Sequence, residues 1–464
     1  MTLTMHELPV VVIGAGPVGL ATAAHLLERG LRPIVLEAGP TPAAAVRQWG
    51  HTRLFSPWRY NIDDATRRLL EPTGWQAPDP DSLPTGHELI RDYLDPLVAV
   101  LDSSGPVVRT GARVVAVSRD GIDKTRSADR ESTPFLVRVE SSDGEVTELR
   151  ARSVIDASGT WGQPNPLGRS GIQAPGEAEA IARGLVTAPL PDVSGSERAR
   201  FAARHVLVVG AGHSAANTLL DLVDLADEQP DTRISWAVRA ADVSRVYGGE
   251  DRDDLAARGA LGTRLRRAVE SGVIEVHTSF VITGFTTGHG LTVHAATPDG
   301  PVDLGVDLLV PATGFRPELS MLSELRLHLD PAVDAPHQLG PLIDPEFHSC
   351  GSVPPHGERL LAHPEPGFYI VGMKSYGRAP TFLMATGYEQ VRSIAAALAG
   401  DREAADDVKL DLPETGVCST DIGTSCDTTL SPDTTAPASG ADSCCAPAAP
   451  QLITLGDSSG SSCC

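Results

Sequence analysis

The chain has 464 residues, 41% of them hydrophobic, with 45 Gly and 37 Pro and a formal net charge of −22. That length supports two or three domains around a large core, and the glycine and proline content reads as globular but rich in turns. The acidic balance excludes nucleic acid and anionic membrane surfaces as partners, since both demand a basic face.

The apolar run from Pro9 to Ile13 lacks a basic flank and runs straight into glycines, so it does not read as a secretory signal. No stretch approaches the roughly 20 apolar residues that span a bilayer. A soluble cytoplasmic protein is expected, in a compartment where thiols stay reduced.

Residues 9–39, PVVVIGAGPVGLATAAHLLERGLRPIVLEAG, set out a strand, a glycine turn, a helix ending near Gly30, and a second strand, Ile34-Val35-Leu36, that stops on Glu37. This is the βαβ dinucleotide fingerprint. Gly14 permits the tight turn, Gly16 lets a pyrophosphate approach the backbone, Gly19 lets helix and strand pack closely, and Glu37 can take a ribose hydroxyl pair. The helix N-terminus supplies the positive pole for the phosphate. A glycine-rich turn in another α/β fold is the plainer alternative.

WGHTRLFSPWRYN, residues 49–61, then crowds Trp49, His51, Arg53, Phe55, Trp58, Arg59 and Tyr60 into a short span of a chain that is 4% aromatic. An aromatic wall with His and Arg suits stacking of a flavin and a nicotinamide. Trp49 is therefore a candidate cofactor contact, and His51 and Arg53 are candidate catalytic residues. A core-packing segment with surface arginines is the alternative. Residues 122–134 read as a polar hairpin loop. Val154-Ile155-Asp156-Ala157-Ser158-Gly159 is a strand followed by a turn of small residues.

RHVLVVGAGHSAANTLLDLVDL, residues 204–225, repeats the dinucleotide pattern. Gly210 and Gly212 open a helix with Ser214, and Ala215 stands for the third glycine. The next strand, Ile234 to Val238, ends on Arg239 rather than an acid. An arginine there suits the 2′-phosphate of NADP, unless it is merely a solvated strand end. Two dinucleotide sites in one chain imply hydride transfer between two cofactors, most economically FAD in the first and NADPH in the second. Leu308-Leu309-Val310-Pro311-Ala312-Thr313-Gly314 mirrors the turn at Gly159, and the two read as crossings between the cofactor domains.

Gly367-Phe368-Tyr369-Ile370-Val371-Gly372 is one more buried strand, ahead of a helix from about Ala385 to Leu398. Lys374, one of three lysines in the chain, follows Gly372. It is a candidate cation for the flavin edge, where it would stabilise the reduced anionic ring. After Gly400 the composition changes. Residues 401–464 hold eleven Asp/Glu and two Lys/Arg with little apolar periodicity, which reads as a disordered or loosely docked tail. Six of the seven cysteines lie there, two pairs of them adjacent: Cys444 with Cys445 and Cys463 with Cys464. Adjacent cysteines bond to each other only with strain. Such thiolates prefer trivalent arsenic, antimony or mercury to oxygen-loving ions. A solvated tail with idle thiols is the alternative.

The expected fold class is α/β, with two Rossmann-like dinucleotide-binding domains and a C-terminal tail. The FAD domain is discontinuous, over 1–165 and 310–400. The NADPH domain covers 200–305, and the tail covers 401–464.

The order GAGPVG, DASGTWG, VVGAGHSA, PATGFRP and YIVG over roughly residues 8–400 resembles the two-dinucleotide-binding flavoprotein superfamily, and within it the flavin-containing monooxygenases. With its cysteine tail, the chain is similar to the flavin-binding monooxygenases encoded in actinobacterial arsenic-resistance operons. The resemblance implies an enzyme that loads FAD, reduces it with NADPH and passes one oxygen atom of O2 to a soft nucleophile. Residues 190–210, LPDVSGSERARFAARHVLVVG, stand where that group usually carries F-x-G-x-x-x-H-x-x-x-Y/F.

The rivals in the superfamily, the disulfide reductases, place a cysteine pair as CxxxxC after the first turn or as CxxC in the NADPH domain. Only Cys350 precedes residue 418, so only the tail could relay electrons here. Three functions stay open: a monooxygenase acting on a small molecule such as trivalent arsenic, a reductase relaying electrons through the tail cysteines, and a metalloid-binding sequestration protein. The oligomeric state is open as well.

Overall fold

The computed structural model describes residues 4–248, 256–346, 353, 355–380 and 382–410. Cys350 and the candidate metal ligands Cys444, Cys445, Cys463 and Cys464 lie outside the described residues.

Two parallel sheets organise the chain. The first contains β1 (Val10–Ile13), β2 (Pro33–Leu36), β3 (Val108–Arg109), β7 (Ser153–Asp156) and β15 (Phe368–Ile370), in the order β15-β7-β1-β2-β3. These short apolar runs form strands because both faces of a parallel sheet are covered; β1, β7 and β15 bury every residue. The second sheet contains β8 (His205–Val209), β9 (Arg233–Ala237), β10 (Ile274–His277) and β14 (Leu308–Pro311), in the order β10-β9-β8-β14. In each sheet the first strand stands inside, with its successor on one side and a later strand on the other. That reversal opens a crevice at the carboxyl ends of β1 and β8, where such sheets bind ligands.

The principal helices are α1 (Pro17–Glu28), α2 (Asp64–Leu70), α3 (Asp95–Leu101), α4 (His213–Glu228), α5 (Ala256–Glu270) and α6 (Met384–Leu398). α1 links β1 to β2 and shares one core with α2, α3 and α6, through Leu20, Leu26, Leu70, Leu97, Tyr388 and Val391. Two antiparallel meanders complete the fold. One is β4 (Ala112–Arg119), β5 (Phe135–Ser141) and β6 (Val146–Ala151); the other is β11 (Val281–Thr287), β12 (Leu291–Thr297) and β13 (Gly300–Val306). No helix among the described residues is long and apolar enough to cross a membrane.

Three features refine the sequence reading. β14 stays in register with β8 from Leu308 through Pro311, so the chain leaves the second sheet only after Pro311. The 122–134 loop is not wholly polar surface: Arg130 turns inward and joins Arg119 on Glu365, with Nη2–Oε2 at 2.6 Å and Nε–Oε1 at 2.7 Å. Burial alone would push the Glu365 carboxyl up, but the hydrogen bonds from Arg130 and Arg119 outweigh it and hold it below its ordinary value.

The third concerns the start of the acidic segment, where residues 401–410 belong to the folded body. A short helix, Arg402–Asp406, lies along α6 with Ala405 buried. Ser393 Oγ donates to Ala405 O at 2.6 Å, and Arg392 Nη1 donates to Ala404 O at 2.7 Å. Composition hid this because the docking runs through backbone carbonyls.

Candidate functional site

The first glycine turn joins β1 to α1. Gly14 has φ +99°, and a Cβ there would stand 2.7 Å from Ala157 O and 2.9 Å from Ser158 Cα. A Cβ on Gly19 would overlap the Gly14 carbonyl. Gly16 is the reverse case, since a Cβ there would meet nothing within 4 Å. Gly16 also caps α1 without any side-chain acceptor for the first-turn N–H groups. Open space above an uncapped helix N-terminus fits a pyrophosphate. At the end of β2, the Glu37 carboxylate folds back over this turn, accepting from Ala15 N at 2.9 Å and Gly39 N at 2.8 Å.

The second turn repeats the plan. Gly210 has φ +135°, and a Cβ there would overlap the Ala312 carbonyl. Gly212 is open to 4 Å and caps α4 with no side-chain bond. Ser214 is half-buried in the first turn of α4, and Ala215 is fully buried in the third-glycine place. Arg239 is exposed two residues past β9.

The two crossings pair with each other. Gly159 and Gly314 have φ +69° and +81°. Asn165 N donates to Gly314 O at 2.9 Å, and the Trp161 and Phe315 rings lie 4.9 Å apart. Trp161 Nε1 also donates to Gln48 Oε1 at 2.8 Å, which ties the outward crossing to the residue before Trp49.

The 49–61 segment divides. The Trp49 ring lies beside Gly86, where a Cβ would stand 2.9 Å from Cζ3. Arg53 is 59% exposed and turns to the 83–88 loop, donating to Leu83 O at 2.5 Å with Glu88 at 3.8 Å. His51 and Phe55 turn to the second unit instead. The Phe55 ring lies 5.0 Å from the ring of His213, the first residue of α4. His51 reaches the backbone of Pro191. Burial lowers its proton affinity, and the nearby Asp192 opposes that only in part.

Lys374 is not an open cation. It is fully buried and donates to Asp156 Oδ2 at 2.7 Å and Ser158 Oγ at 3.0 Å. Gly372, with φ +66°, donates its N–H to Gln390 Oε1 at 2.9 Å. Gln390 Nε2 in turn donates to Ser375 Oγ at 2.9 Å. Asp156, Gln390 and His213 were not singled out from the sequence. Asp156 alone left a signal, as an acid closing the apolar run Val154-Ile155.

No sequence among curated proteins matches the chain. Solved structures share its fold. Bacillithiol disulfide reductase Bdr from Bacillus cereus is 18% identical, with 85% of this chain and 99% of that one covered at a TM-score of 0.62. Ornithine N-hydroxylase from Kutzneria sp. 744 is 17% identical, with 85% and 99% covered at 0.57. A flavin-containing monooxygenase from Stenotrophomonas maltophilia is 21% identical, with 85% and 98% covered at 0.52. At these identities the likeness is one of fold. Residues 11–338 match the family described as pyridine nucleotide-disulphide oxidoreductase, and since that is more than half of its length, the chain belongs to this family and is an oxidoreductase.

Proposed function

We propose that the chain is an NADPH- and FAD-dependent monooxygenase that places one oxygen atom of O2 on a soft nucleophile, trivalent arsenic being the substrate class its cysteine pairs suit. Overall, substrate, NADPH, a proton and O2 become oxygenated substrate, NADP+ and water. The observation that carries this over disulfide reduction is the cysteine distribution. Before residue 418 only Cys350 is present, and a dithiol relay needs two.

Gly14, Gly16 and Gly19 would hold the FAD pyrophosphate at α1, with Glu37 on the ribose. Gly210, Gly212, Ser214 and Ala215 would hold that of NADPH, with Arg239 on its 2′-phosphate. FAD, when bound, supplies an acceptor for hydride and, once reduced, a donor to O2. The chain orients and shields. Phe55, ring to ring with His213, lines the face toward the second unit, and His51, whose proton affinity burial lowers, can exchange a proton at a ring nitrogen. Cys444, Cys445, Cys463 and Cys464 would capture the metalloid, each thiol replacing one hydroxyl and its proton leaving with that hydroxyl as water.

The test is NADPH and O2 consumption by the purified full chain, with and without trivalent arsenic, in air and under anaerobic conditions. The same assays are run with those four cysteines changed to Ser. Substitution in the full chain is needed because truncation at Gly400 removes the docked 401–410 segment. Oxygenation requires that arsenic stimulate turnover only in air. Stimulation that persists without O2 and vanishes in the Ser variant makes the chain a tail-relay reductase. Tight metalloid binding with no stimulation makes it a sequestration protein.

A further inference from the structure

We infer that Asp156 and Lys374 are a positioning pair that sets the floor of the first dinucleotide turn. The inference rests on the reading above that this turn binds FAD.

Asp156 is the one charged residue buried in the strands of the first sheet, whose other strands read VVVI, PIVL, VR and FYI. It is in register with Ile13 of β1 on one side and Ile370 of β15 on the other. One residue beyond Ile13 is Gly14, and two residues beyond Ile370 is Gly372. The charge therefore stands at the carboxyl edge of the sheet, between the two turns that open on the crevice.

The residues after Asp156 are what Gly14 rests on. A Cβ on Gly14 would stand 2.7 Å from Ala157 O and 2.9 Å from Ser158 Cα, so the 157–158 backbone occupies the space beside the turn that a side chain would need. Ser158 is gripped by both members of the pair. Its hydroxyl donates to Asp156 Oδ1 at 2.6 Å and accepts from Lys374 Nζ at 3.0 Å, while its N–H donates to Asp156 Oδ1 at 3.1 Å. Lys374 is anchored from behind by the Gly372–Gln390–Ser375 bonds to α6. Gly372 itself faces α1, where a Cβ would stand 3.3 Å from Val18 Cγ2. The path runs from Val18 in the first turn of α1 through Gly372, Lys374, Asp156 and Ser158 to Gly14.

Stability alone does not explain such a pair. Desolvating two charges costs several kcal/mol each, and apolar residues of similar volume often serve as well. What an apolar pair lacks is direction. The hydrogen bonds here fix one rotamer of Ser158 and the height of the 157–158 backbone, which is what a pyrophosphate cradle needs.

The test uses the double variant Asp156→Leu with Lys374→Met, which removes both charges and leaves neither unpaired. FAD affinity, the visible circular dichroism of bound flavin, NADP+ affinity and the melting temperature are measured on it and on the unsubstituted protein. If the unsubstituted protein fails to bind FAD, the functional reading fails before the inference is reached. The pair is confirmed if the double variant folds and binds NADP+ normally but holds FAD at least about tenfold more weakly, with an altered flavin signal. Unchanged FAD affinity and signal overturn it, as does a parallel loss of FAD affinity, NADP+ affinity and melting temperature. Should the double variant not fold, Ser158→Ala decides. It leaves the ion pair intact and is expected to weaken FAD binding about threefold or more; unchanged binding overturns the inference.

Discussion

The two glycine turns share one plan and differ in their surroundings. α1 is buried along nine consecutive residues, Val18 to Leu26. α4 buries seven of its sixteen residues, and its outward side carries Asp224 and Asp227. The first turn needs Gly19, whereas the second accommodates Ala215. The first unit is also knotted by buried charge, in Glu365 with Arg119 and Arg130 and in Lys374 with Asp156. In the second unit, Arg264–Asp224 and Arg204–Asp307 lie on the surface. A walled turn suits a cofactor kept through turnover. A turn with an open flank suits one that arrives and leaves in every cycle.

The sharpest way to break this contrast is at the third-glycine positions. Gly19→Ala drives a methyl into the Gly14 carbonyl, a backbone clash expected to cost more than about 4 kcal/mol and to abolish FAD retention. The mirror change, Ala215→Gly, costs only about 1 kcal/mol of helix propensity and should leave NADP+ binding intact. Chemical denaturation and the flavin absorbance of the two variants check this, and a Gly19→Ala protein that keeps its FAD would end the distinction.

Next in size is Glu365→Gln. It leaves Arg119 and Arg130 buried without their carboxylate, at an expected cost of about 3–5 kcal/mol. The pH dependence has a definite sign. Because the folded protein holds this carboxyl below its ordinary value, the contribution is present above the unfolded value, about 4.3, and is lost as pH falls through the folded one. Melting temperature followed from pH 7 down to pH 3 should fall less steeply for Glu365→Gln than for the unsubstituted protein.

The sequence revealed most of what is local. Each strand, turn and helix of the two dinucleotide units is written in consecutive residues, so Val10 to Glu37 and His205 to Arg239 could be read from pattern alone. The fine geometry depends on partners far apart in the chain. Lys374 was legible as an unusual lysine, but its partner Asp156 lies 218 residues away. Glu365 meets Arg119 across 246 residues. His213 sits at a position the dinucleotide motif leaves free, so nothing in the pattern pointed to Phe55. Only residues 401–410 misled, because their charge says nothing of backbone carbonyls accepting from Arg392 and Ser393.

The second unit should answer pH in the opposite sense. Burial, with Asp224 as the next cause, pushes the Asp221 carboxyl up to about 6. The fold thus favours the protonated form. Its stabilising contribution is complete below the unfolded value, about 3.9, and is lost as pH rises through about 6. Asp221→Asn keeps the neutral form at every pH. It should stabilise the protein by about 1–2 kcal/mol at pH 7–8 and by nothing near pH 3. Melting curves at both pH values check this, and a gain at pH 3 as large as that at pH 8 would remove ionisation as its cause.

The smallest effect falls where the two units touch. Phe55 comes from the segment after the first βαβ unit, and His213 is the residue that follows Gly212. An aromatic contact of this kind contributes about 0.5–1.5 kcal/mol beyond its buried area, equivalent to roughly two- to tenfold in affinity. If the contact holds the second turn in its binding shape, Phe55→Ala should weaken NADP+ by that factor while FAD content and its visible spectrum stay unchanged. Titration of the oxidised flavoprotein with NADP+ measures this directly. Tighter NADP+ binding in the variant would mean that the incoming dinucleotide must break the contact, and Phe55 would then guard the second turn instead of shaping it. In both cases the first unit acts on the affinity of the second through a single ring, which the open flank of α4 permits and the walled flank of α1 would not.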